Sequence, residues 1–412
     1  MPWRDELLFQ HAQRKNDSQW RQRVTIESPQ GTRLVVDGRT YLNFCSNDYL
    51  GLANHPHVAN ASVAAIKTRG TSSGASHLVC GHSDEHHLLE MEIAKFVGAE
   101  KAVVFSTGYM ANLAIPQTLL GRGDLILQDR LNHASLIDAG RYCEAKMKRY
   151  PHLDQNALEK LLTESQARRT LVETDGVFSM DGDIAPVHAL REQCKNHEAV
   201  LLVDDAHGFG VLGKSGAGTL SANNVAVSGN VLMMGTLGKA AGSFGAFIAG
   251  DEVYIESLVQ FARTYIYTTA LPPSVIAATR TAIELIQTES DRRKHLHRNI
   301  KQFRERIQGH AELGKRILNS TTPIQPLVFG SSLAAFKASQ LLWEQGIWVS
   351  AIRPPTVPKG GARLRITLTA DHDSEDIQQL VDVLNSDPMK RIIAESNQKK
   401  LEATEPDREV NP

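Results

Sequence analysis

The sequence is poor in cysteine and has no excess of either charge. Its four cysteines, Cys45, Cys80, Cys143 and Cys194, are widely separated and form no C-x-x-C pair, which excludes a zinc ribbon and a disulfide framework. Unpaired thiols are typical of reducing compartments, so we expect a cytoplasmic protein. Lysine and arginine number 45 and aspartate and glutamate 46, which gives a net charge of −1. Proteins that bind nucleic acid or membrane surfaces usually carry excess positive charge, and we therefore expect neither partner.

Long apolar runs are also missing. The longest weakly charged stretch, 231–249, contains Lys239 and four glycines, and a lysine at the centre of a membrane span is costly. The first ten residues include Asp5 and Glu6 and lack the apolar segment of a signal peptide. We therefore expect no membrane helix, and we interpret 231–249 as buried protein interior.

Six short apolar runs indicate an α/β fold. They are bounded by turn residues and alternate with longer segments of helical period, and they lie at 102–105, 125–128, 170–172, 200–203, 231–234 and 246–249. Such runs are typical of strands in a mainly parallel sheet that is buried on both faces and connected by crossover helices. The chain of 412 residues, 42% hydrophobic and 22% charged, has the composition of a globular protein of two or three domains.

The order of these patterns divides the chain into four parts. We expect an N-terminal arm at 1–50, a large domain at 51–290, a small α+β domain at 291–388 and a polar, disordered tail at 389–412. Lysine, glutamate, asparagine and proline dominate the tail, and that composition is typical of disorder.

Chemically active side chains follow four of the six runs. STGY at 106–109 opens a helix, and the free N–H groups of a helix N-terminus form a phosphate site. His133 follows the second run, DDAHG at 204–208 follows the fourth, and Lys239 follows the fifth. Ligands of doubly wound sheets bind at the carboxyl ends of the strands, so we expect these groups to meet. The glycines and alanines around Lys239 predict an amine that is readily desolvated.

Each of these features also has a simpler interpretation. Most lysines are solvated surface charges, most single histidines are structural, and an aspartate at a strand end is often a helix N-cap. GTSSG at 70–74 matches the nucleophile elbow of serine hydrolases, but a helical pattern precedes it where the elbow needs a strand. GTLGK at 235–239 lacks residues that a P-loop requires. The histidines of HSDEHH at 82–87 lead into a helix as its polar entry, so we expect no metal.

Together these groups point to pyridoxal 5'-phosphate (PLP). A desolvated lysine can form the Schiff base, a helix N-terminus can hold the phosphate, and a histidine can stack on the ring. A carboxylate beside the pyridine nitrogen keeps that nitrogen protonated and makes the ring an electron sink. We therefore expect Asp204 to be ionised, since the opposite charge of the pyridinium favours the carboxylate.

Four motifs resemble the α-oxoamine synthases, a family of fold-type I PLP enzymes. They are SNDYLGL at 46–52, GVFSMDGD at 176–183, DDAHG at 204–208 and TLGKA at 236–240, and the resemblance covers about residues 20 to 385. It implies a three-layer α/β/α fold with a mainly parallel sheet, a smaller α+β C-terminal domain and an N-terminal arm. The segment AIRPPTVPKGGARLRITLTADH at 351–372 is similar to the biotin-pathway branch of the family.

The resemblance implies roles for the residues that match the family's motifs. Lys239 would carry the cofactor and move the Cα proton, Asp204 would bind the pyridine nitrogen, and His207 the phenolic oxygen. The residues implied to hold the rest of the cofactor are His133, Gly108, Tyr109, Ser179, Thr236 and Thr268. The residues implied to bind substrate are Asn47 and Arg365 at the amino-acid carboxylate, His133, and Arg21 and Thr356 at the acyl group. Thr268 would reach the phosphate of the neighbouring subunit, which implies a homodimer with shared active sites.

The implied reaction is a decarboxylative condensation of L-alanine with a pimeloyl thioester, whose carrier is coenzyme A or acyl-carrier protein. One alternative is a relative that uses glycine and a short acyl-CoA, such as glycine C-acetyltransferase. Another is an inactive homologue that serves as a scaffold, which the presence of all four catalytic residues disfavours. Asp175 stands where some relatives have glutamate, and Phe209 follows His207 and Gly208 where a smaller residue is frequent. The sequence leaves open whether Phe209 and Phe244 change the size of the substrate pocket.

Overall fold

The computed structural model describes residues 2–16 and 20–402, which fall into two compact units. The large unit comprises Asn47–Ser179 and Asp183–His295, and the small unit comprises Met1–Ser46, Met180–Gly182 and Leu296–Pro412. The chain therefore divides at 46/47 and 295/296, where the sequence predicts 50/51 and 290/291. Within the small unit, β2 of the N-terminal segment pairs in parallel with β11 of the C-terminal part of the chain.

The described residues form helices and strands that we number in chain order. The helices are α1 Pro2–Asn16, α2 Pro56–Arg69, α3 Asp84–Val97, α4 Gly108–Leu119, α5 Ala134–Arg141, α6 Gln155–Thr163, α7 Val187–Asn196, α8 Thr219–Ala222, α9 Glu252–Phe261, α10 Arg263–Ile266, α11 Pro273–Thr288, α12 Ser290–Gln308, α13 Ala311–Gly314, α14 Ser332–Glu344, α15 Ser374–Leu384 and α16 Asp387–Glu402. The strands are β1 Arg33–Val36, β2 Arg39–Asn43, β3 Lys101–Phe105, β4 Leu125–Asp129, β5 Lys146–Tyr150, β6 Thr170–Asp175, β7 Val200–Asp204, β8 Val231–Thr236, β9 Ala246–Gly250, β10 Ile324–Gly330, β11 Ile347–Trp348, β12 Ser350–Ile352 and β13 Ala362–Thr367. A π-helix lies at His77–Gly81.

A seven-stranded sheet forms the centre of the large unit, in the order β3-β9-β8-β7-β6-β4-β5. Strands β4 to β8 pair in parallel, whereas β9 is antiparallel to both β8 and β3. Six of these strands coincide with the six apolar runs. The sequence does not predict β5, KMKRY, because it lies at the edge of the sheet with only Tyr150 buried and therefore needs no apolar run.

Helices cover both faces of this sheet. Successive residues of a strand enter opposite cores: Val231 and Met233 of β8 pack into one, and Leu232 and Met234 into the other. The first core also contains side chains of α3, α6, α7 and α11, and the second those of α4, α5 and α9. The large unit is therefore the expected three-layer α/β/α fold, and burial on both faces explains the apolar runs in its inner strands.

The small unit contains two three-stranded sheets, β1-β2-β11 and β10-β13-β12. Helix α14 packs on β10, β12, β13 and α16. The prediction that residues from 389 are disordered is wrong as far as the structure describes them, because α16 continues to Glu402. Met389 and Ile393 lie one helical turn apart and are both buried, so this helix is held by its apolar side. Residues 403–412 lie outside the described part. No helix in the ranges 2–16 and 20–402 has the length and apolar character needed to cross a membrane.

Candidate active site

A cavity of about 210 Å³ lies at the carboxyl edge of the seven-stranded sheet. The structure brings eight sequence-predicted residues together in its lining: Gly108, Tyr109, His133, Ser179, Asp204, His207, Thr236 and Lys239. The other lining residues are Asn112, Ser135, Asp175, Val177, Ala206 and Met234. The parts that the sequence expects at separate strand ends thus share one enclosure within the large unit.

The order of the sheet explains why these residues meet. Asp204 ends β7, His133 precedes α5 behind β4, Gly108 begins α4 behind β3, and Lys239 lies in the turn between β8 and β9. Two antiparallel pairings separate β3 from β8, so β3 runs in the same direction as the parallel strands. All four carboxyl ends therefore lie at the same edge, where ligands of such sheets bind.

The turn that carries Lys239 is closed by its own backbone. Leu237 N donates to Gly245 O at 2.9 Å, and Gly242 N donates to Lys239 O at 2.8 Å. Gly242 has a φ of +60°, and a Cβ at this position would lie 2.3 Å from Ala53 N. Only glycine fits a position with both constraints, so the turn has a single conformation from which the lysine projects.

Lys239 stands at the end of a row of hydrogen bonds. Its Nζ lies 2.8 Å from His207 Nε2, and His207 Nδ1 lies 2.5 Å from the Tyr49 hydroxyl. That hydroxyl donates its one proton to Asn47 Oδ1 at 3.2 Å. A His207 with its proton on Nδ1 satisfies all three contacts: Nδ1–H donates to Tyr49, and Nε2 is the acceptor that faces the lysine.

Asp204 is 4% exposed and accepts two hydrogen bonds. Its Oδ1 accepts from Ala206 N at 3.0 Å, and its Oδ2 accepts from Asn112 Nδ2 at 2.7 Å. Burial raises the pKa of neighbouring Asp175 well above its usual range, and the negative charge of Asp204 raises it further. Burial also raises the pKa of Asp205 to about 7, against the hydrogen bonds that Thr219 donates to it. Burial and the nearby carboxylate therefore both favour the neutral form of Asp175.

His133 forms another wall of the cavity. It is the N-cap of α5, and its backbone N donates to Asp175 Oδ2 at 3.1 Å. Burial lowers the pKa of the His133 imidazole; the Asp204 carboxylate opposes this shift and the Lys239 ammonium adds to it. The ring is therefore neutral near neutral pH, as suits a side chain that stacks on an aromatic ligand.

The N-terminus of α4 supplies a site for an anion. Thr107 caps this helix of 12 residues, with its Oγ1 accepting from Met110 N at 3.2 Å. The N–H groups of Gly108 and Tyr109 have no acceptor within the helix, and the helix dipole makes this end positive. The Tyr109 hydroxyl donates to Asp138 of α5, which ties the start of α4 to the helix that His133 caps.

These donors fit PLP. Lys239 offers a primary amine, Asp204 a buried negative charge for a pyridinium, and the start of α4 a place for the phosphate. The imidazole of His133 offers a flat, neutral face, and His207 is already hydrogen-bonded to the lysine. No part of this lining conflicts with the chemistry of the cofactor.

Five predicted residues lie outside the described lining of this cavity. Thr268 follows α10 and lines a separate groove with Tyr142 and Tyr267. Asn47 belongs to the large unit and accepts from Tyr49. The remaining three, Arg21, Thr356 and Arg365, belong to the small unit. Arg21 and Thr356 are exposed. Arg365 is buried, and its Nη1 donates to Thr367 Oγ1 at 3.0 Å.

Phe209 does not line the cavity. Its side chain is 1% exposed and packs edge-on against Phe96 and Phe247, with ring centroids 5.7 and 5.0 Å apart, inside the apolar core. Phe244 is 52% exposed and lies outside the cavity lining as described. Neither phenylalanine therefore limits the cavity of the large unit.

The competing motifs have structural roles. GTSSG at 70–74 follows α2, which ends at Arg69, so the strand that a nucleophile elbow needs is replaced by a helix. Within HSDEHH, His86 closes a capping box at the start of α3: its Nδ1 accepts from Ser83 N at 3.2 Å. Its Nε2 lies 2.8 Å from Leu271 O, so both ring nitrogens have partners.

The sequence assigned no role to four polar residues of the site, namely Asn112, Ser135, Asp175 and Tyr49. Tyr49 lies within the motif SNDYLGL, and Ser135 lies two residues after His133. Asn112 stands one turn after Gly108 among the apolar residues of α4, and a polar residue on a buried helix face is a signal for a buried partner. Its partner could be identified only from the fold.

Comparisons with known proteins agree with this geometry. The family model described as aminotransferase class I and II matches residues 39–384. The 8-amino-7-oxononanoate synthase of Cellvibrio japonicus is 53% identical over 373 residues, 90% of this chain and 93% of that protein. The crystal structure of 8-amino-7-oxononanoate synthase from Francisella tularensis is 33% identical, has a TM-score of 0.72, and the match covers 88% of this chain and 99% of that one. A serine palmitoyltransferase from S. paucimobilis, with a bound PLP–myriocin aldimine, is 28% identical with a TM-score of 0.86 over 96% of this chain and 98% of that one.

The matches agree in family, in fold and over nearly the whole chain. The cavity at the sheet edge carries the lysine, aspartate and histidines that the sequence resemblance implies. The chain therefore belongs to the class I and II aminotransferase family and, within it, to the 8-amino-7-oxononanoate synthases.

Proposed function

We propose that this chain condenses L-alanine with a pimeloyl thioester, and that it releases 8-amino-7-oxononanoate, carbon dioxide and the free thiol carrier. The observation that carries the proposal is the Lys239 amine, 2.8 Å from His207 Nε2 in a cavity that Asp204 and His133 also line. Relatives that share about half of its residues over 90% of the chain bear the name of this synthase. The reaction serves biotin synthesis, and its cofactor is PLP.

When bound, PLP supplies an electron sink that stabilises negative charge at the Cα of the amino acid. Asp204 provides the counter-charge for the pyridine nitrogen, and its burial at 4% exposure excludes water that would screen this charge. His133 provides a flat wall for the ring. The N–H groups of Gly108 and Tyr109 at the start of α4 receive the phosphate.

Lys239 moves the protons. Its Nζ takes the Cα proton of alanine and later returns one to the product, since a primary amine on a fixed turn can act as both base and acid. His207 Nε2 accepts a hydrogen bond from this amine, in agreement with the contacts among His207, Tyr49 and Asn47, and so orients its lone pair. The backbone bonds of the 237–245 turn keep the amine in place throughout.

The residues that bind substrate outside the cavity are part of the same proposal. Arg365 and Asn47 hold the carboxylate of alanine, and a guanidinium suits this task because it donates two parallel hydrogen bonds. Arg21 and Thr356 contact the acyl chain. Thr268 reaches the phosphate of the partner subunit's cofactor, so the active enzyme is a homodimer. The position of Thr268 in the surface groove that the exposed side chains of Tyr142 and Tyr267 also line supports this role.

Mass spectrometry of the products tests the proposal. Purified protein with PLP is incubated with L-alanine and pimeloyl-CoA or pimeloyl-acyl-carrier protein, and in parallel with glycine and acetyl-CoA. We expect 8-amino-7-oxononanoate from a pimeloyl thioester and no product from the second pair, and the faster carrier is the natural one. Product from glycine and acetyl-CoA alone would refute the proposal.

A lysine variant tests the chemistry. We expect the native protein to be yellow and borohydride to fix the cofactor on Lys239, because the amine forms a Schiff base with the aldehyde. Lys239→Ala should be colourless and inactive, whereas Lys195→Ala, which removes an exposed lysine at the end of α7, should match the native protein. A Lys239→Ala protein that still makes product would contradict the mechanism.

A further inference from the structure

A row of buried hydrogen bonds connects Asp204 with His133. Asn112 Nδ2 lies 2.7 Å from Asp204 Oδ2 and 2.8 Å from Ser135 Oγ, and Ser135 Oγ lies 2.8 Å from His133 Nδ1. Asn112 is 0% exposed and Ser135 1% exposed. Buried hydrogen-bonding groups need partners, so the direction of each bond in the row follows from the donors available.

The amide of Asn112 has one acceptable orientation. Its nitrogen carries two hydrogens and donates one to the Asp204 carboxylate and the other to Ser135 Oγ. The reversed amide would place Oδ1 against a carboxylate oxygen at hydrogen-bond distance with no hydrogen between them. In the observed orientation Oδ1 has no hydrogen-bond partner among the described residues, so Asn112 acts entirely through its nitrogen.

The row then fixes the proton of His133. Because Ser135 Oγ accepts from Asn112, its own single proton is free to be donated to His133 Nδ1. The Ser135 backbone N–H also points to this atom, with N and Nδ1 3.3 Å apart. Two donors converge on Nδ1, which must therefore present a lone pair. A neutral imidazole with an unprotonated Nδ1 carries its proton on Nε2.

We propose that Asn112 and Ser135 are positioning residues that hold His133 as the neutral imidazole protonated on Nε2 and fix the Asp204 carboxylate in one orientation. The lowered pKa of His133, caused first by its burial, agrees with a neutral ring. That His133 and Asp204 face PLP rests on the proposed function, whereas the hydrogen-bond directions follow from the chain alone.

The neutral state of His133 and the fixed orientation of Asp204 both favour a protonated pyridine ring. A pyridinium that Asp204 keeps protonated carries positive charge, and an imidazolium on its face would oppose that charge at short range. By directing two donors at His133 Nδ1, Ser135 makes protonation of that atom unfavourable. Because Asn112 donates to both Asp204 and Ser135, it links the position of the Asp204 carboxylate to the protonation state of His133.

Nitrogen-15 NMR of the histidine-labelled holoenzyme tests the proposal directly. The His133 resonances are identified by their loss in His133→Asn. We expect an unprotonated Nδ1 and a protonated Nε2 in the native enzyme near neutral pH. We expect Ser135→Ala to move the Nδ1 resonance towards the protonated range, because the hydroxyl donor is lost. A protonated Nδ1 in the native holoenzyme would overturn the proposal even if no variant folds.

Kinetics of the holoenzyme separate positioning from a general loss of structure. Asn112→Leu keeps the size of the side chain and removes both hydrogen bonds, and we expect kcat to fall about 10- to 100-fold with the KM for alanine unchanged. Thr118→Val on the same helix removes a buried hydroxyl that has no partner among the described residues, and it should leave kcat and the His133 resonances as they are. Unaltered His133 resonances and kcat in both Asn112→Leu and Ser135→Ala would overturn the proposal. A native enzyme that makes no product but shows the expected His133 pattern would refute the proposed function and support this one.

Discussion

Replacing Phe209 by alanine should weaken the fold without changing the choice of substrate. The ring is 1% exposed and packs edge-on against Phe96 and Phe247 in the core beneath the sheet. Truncation removes a whole buried ring and leaves a cavity between two aromatic neighbours, and such changes cost about 3–5 kcal/mol of the free energy of unfolding. Phe244 is 52% exposed, and its truncation should change that free energy by less than about 0.5 kcal/mol.

Urea denaturation followed by far-UV circular dichroism measures both variants. Tryptophan fluorescence is unsuitable, because all four tryptophans lie at 3, 20, 343 and 348, in the small unit, whereas Phe209 is in the large unit. The difference in midpoint multiplied by the slope gives the change in free energy of unfolding. The ratio of kcat/KM for alanine and glycine is measured on the same preparations.

The reasoning fails if Phe209→Ala leaves the urea midpoint unchanged. It fails equally if this variant alters the preference between alanine and glycine while Phe244→Ala does not, because Phe209 would then line the substrate pocket. The expected result is a lower midpoint with an unchanged ratio, and it would place the selection of alanine among the cavity residues.

Two further sets of variants test the ion pairs of His152 and the backbone of the turn that carries Lys239. His152 lies between Asp129 at 3.0 Å and Asp183 at 2.8 Å; burial lowers the pKa of its imidazole, but the two carboxylates outweigh this and raise it to about 10. The His152 imidazolium therefore stabilises the folded protein fully below about pH 6.5, and this stabilisation is lost as the pH rises through 10. We expect the urea midpoint of the native protein to fall between these pH values, and the midpoint of His152→Gln to fall less. Gly242→Ala should abolish activity and lower the urea midpoint, because the added Cβ would lie 2.3 Å from Ala53 N. Gly229 is the control: it has a similar φ of +65°, but an added Cβ would have no atom within 4 Å, so Gly229→Ala should retain activity. Equal behaviour of the two glycine variants would show that backbone strain alone, and not the close approach, decides the outcome.

The sequence predicts those elements of the fold that a single local pattern of residues is enough to identify. Six strands of the large sheet contain short apolar runs because both faces of the sheet are buried, and the residues after four of these runs could be assigned to the site for that reason. β5 could not be found, since an edge strand with a single buried residue has no such pattern. The helix through 389–402 was missed because Met389 and Ile393 are too few to stand out among lysines and glutamates.

The hydrogen bonds within the site cannot be predicted from the sequence. The side chain of Asn112 meets Asp204, 92 residues later in the chain, and nothing in a linear pattern pairs these two positions. Phe209 lies two residues after His207, yet its ring enters the apolar core whereas His207 lines the cavity. The path of the turn after β7 decides which side chain enters the cavity and which enters the core.

The position of β9 has a consequence for how the enzyme is made. β9 is the last strand of the large sheet in the chain, yet it lies between β3, the first, and β8. During synthesis β3 has no neighbour in the finished sheet until about residue 250 has left the ribosome, and the edge of β8 stays open for as long. Until then two strand edges that the finished sheet covers are open to solvent, and such edges are where a nascent chain is prone to aggregate and where a chaperone would act.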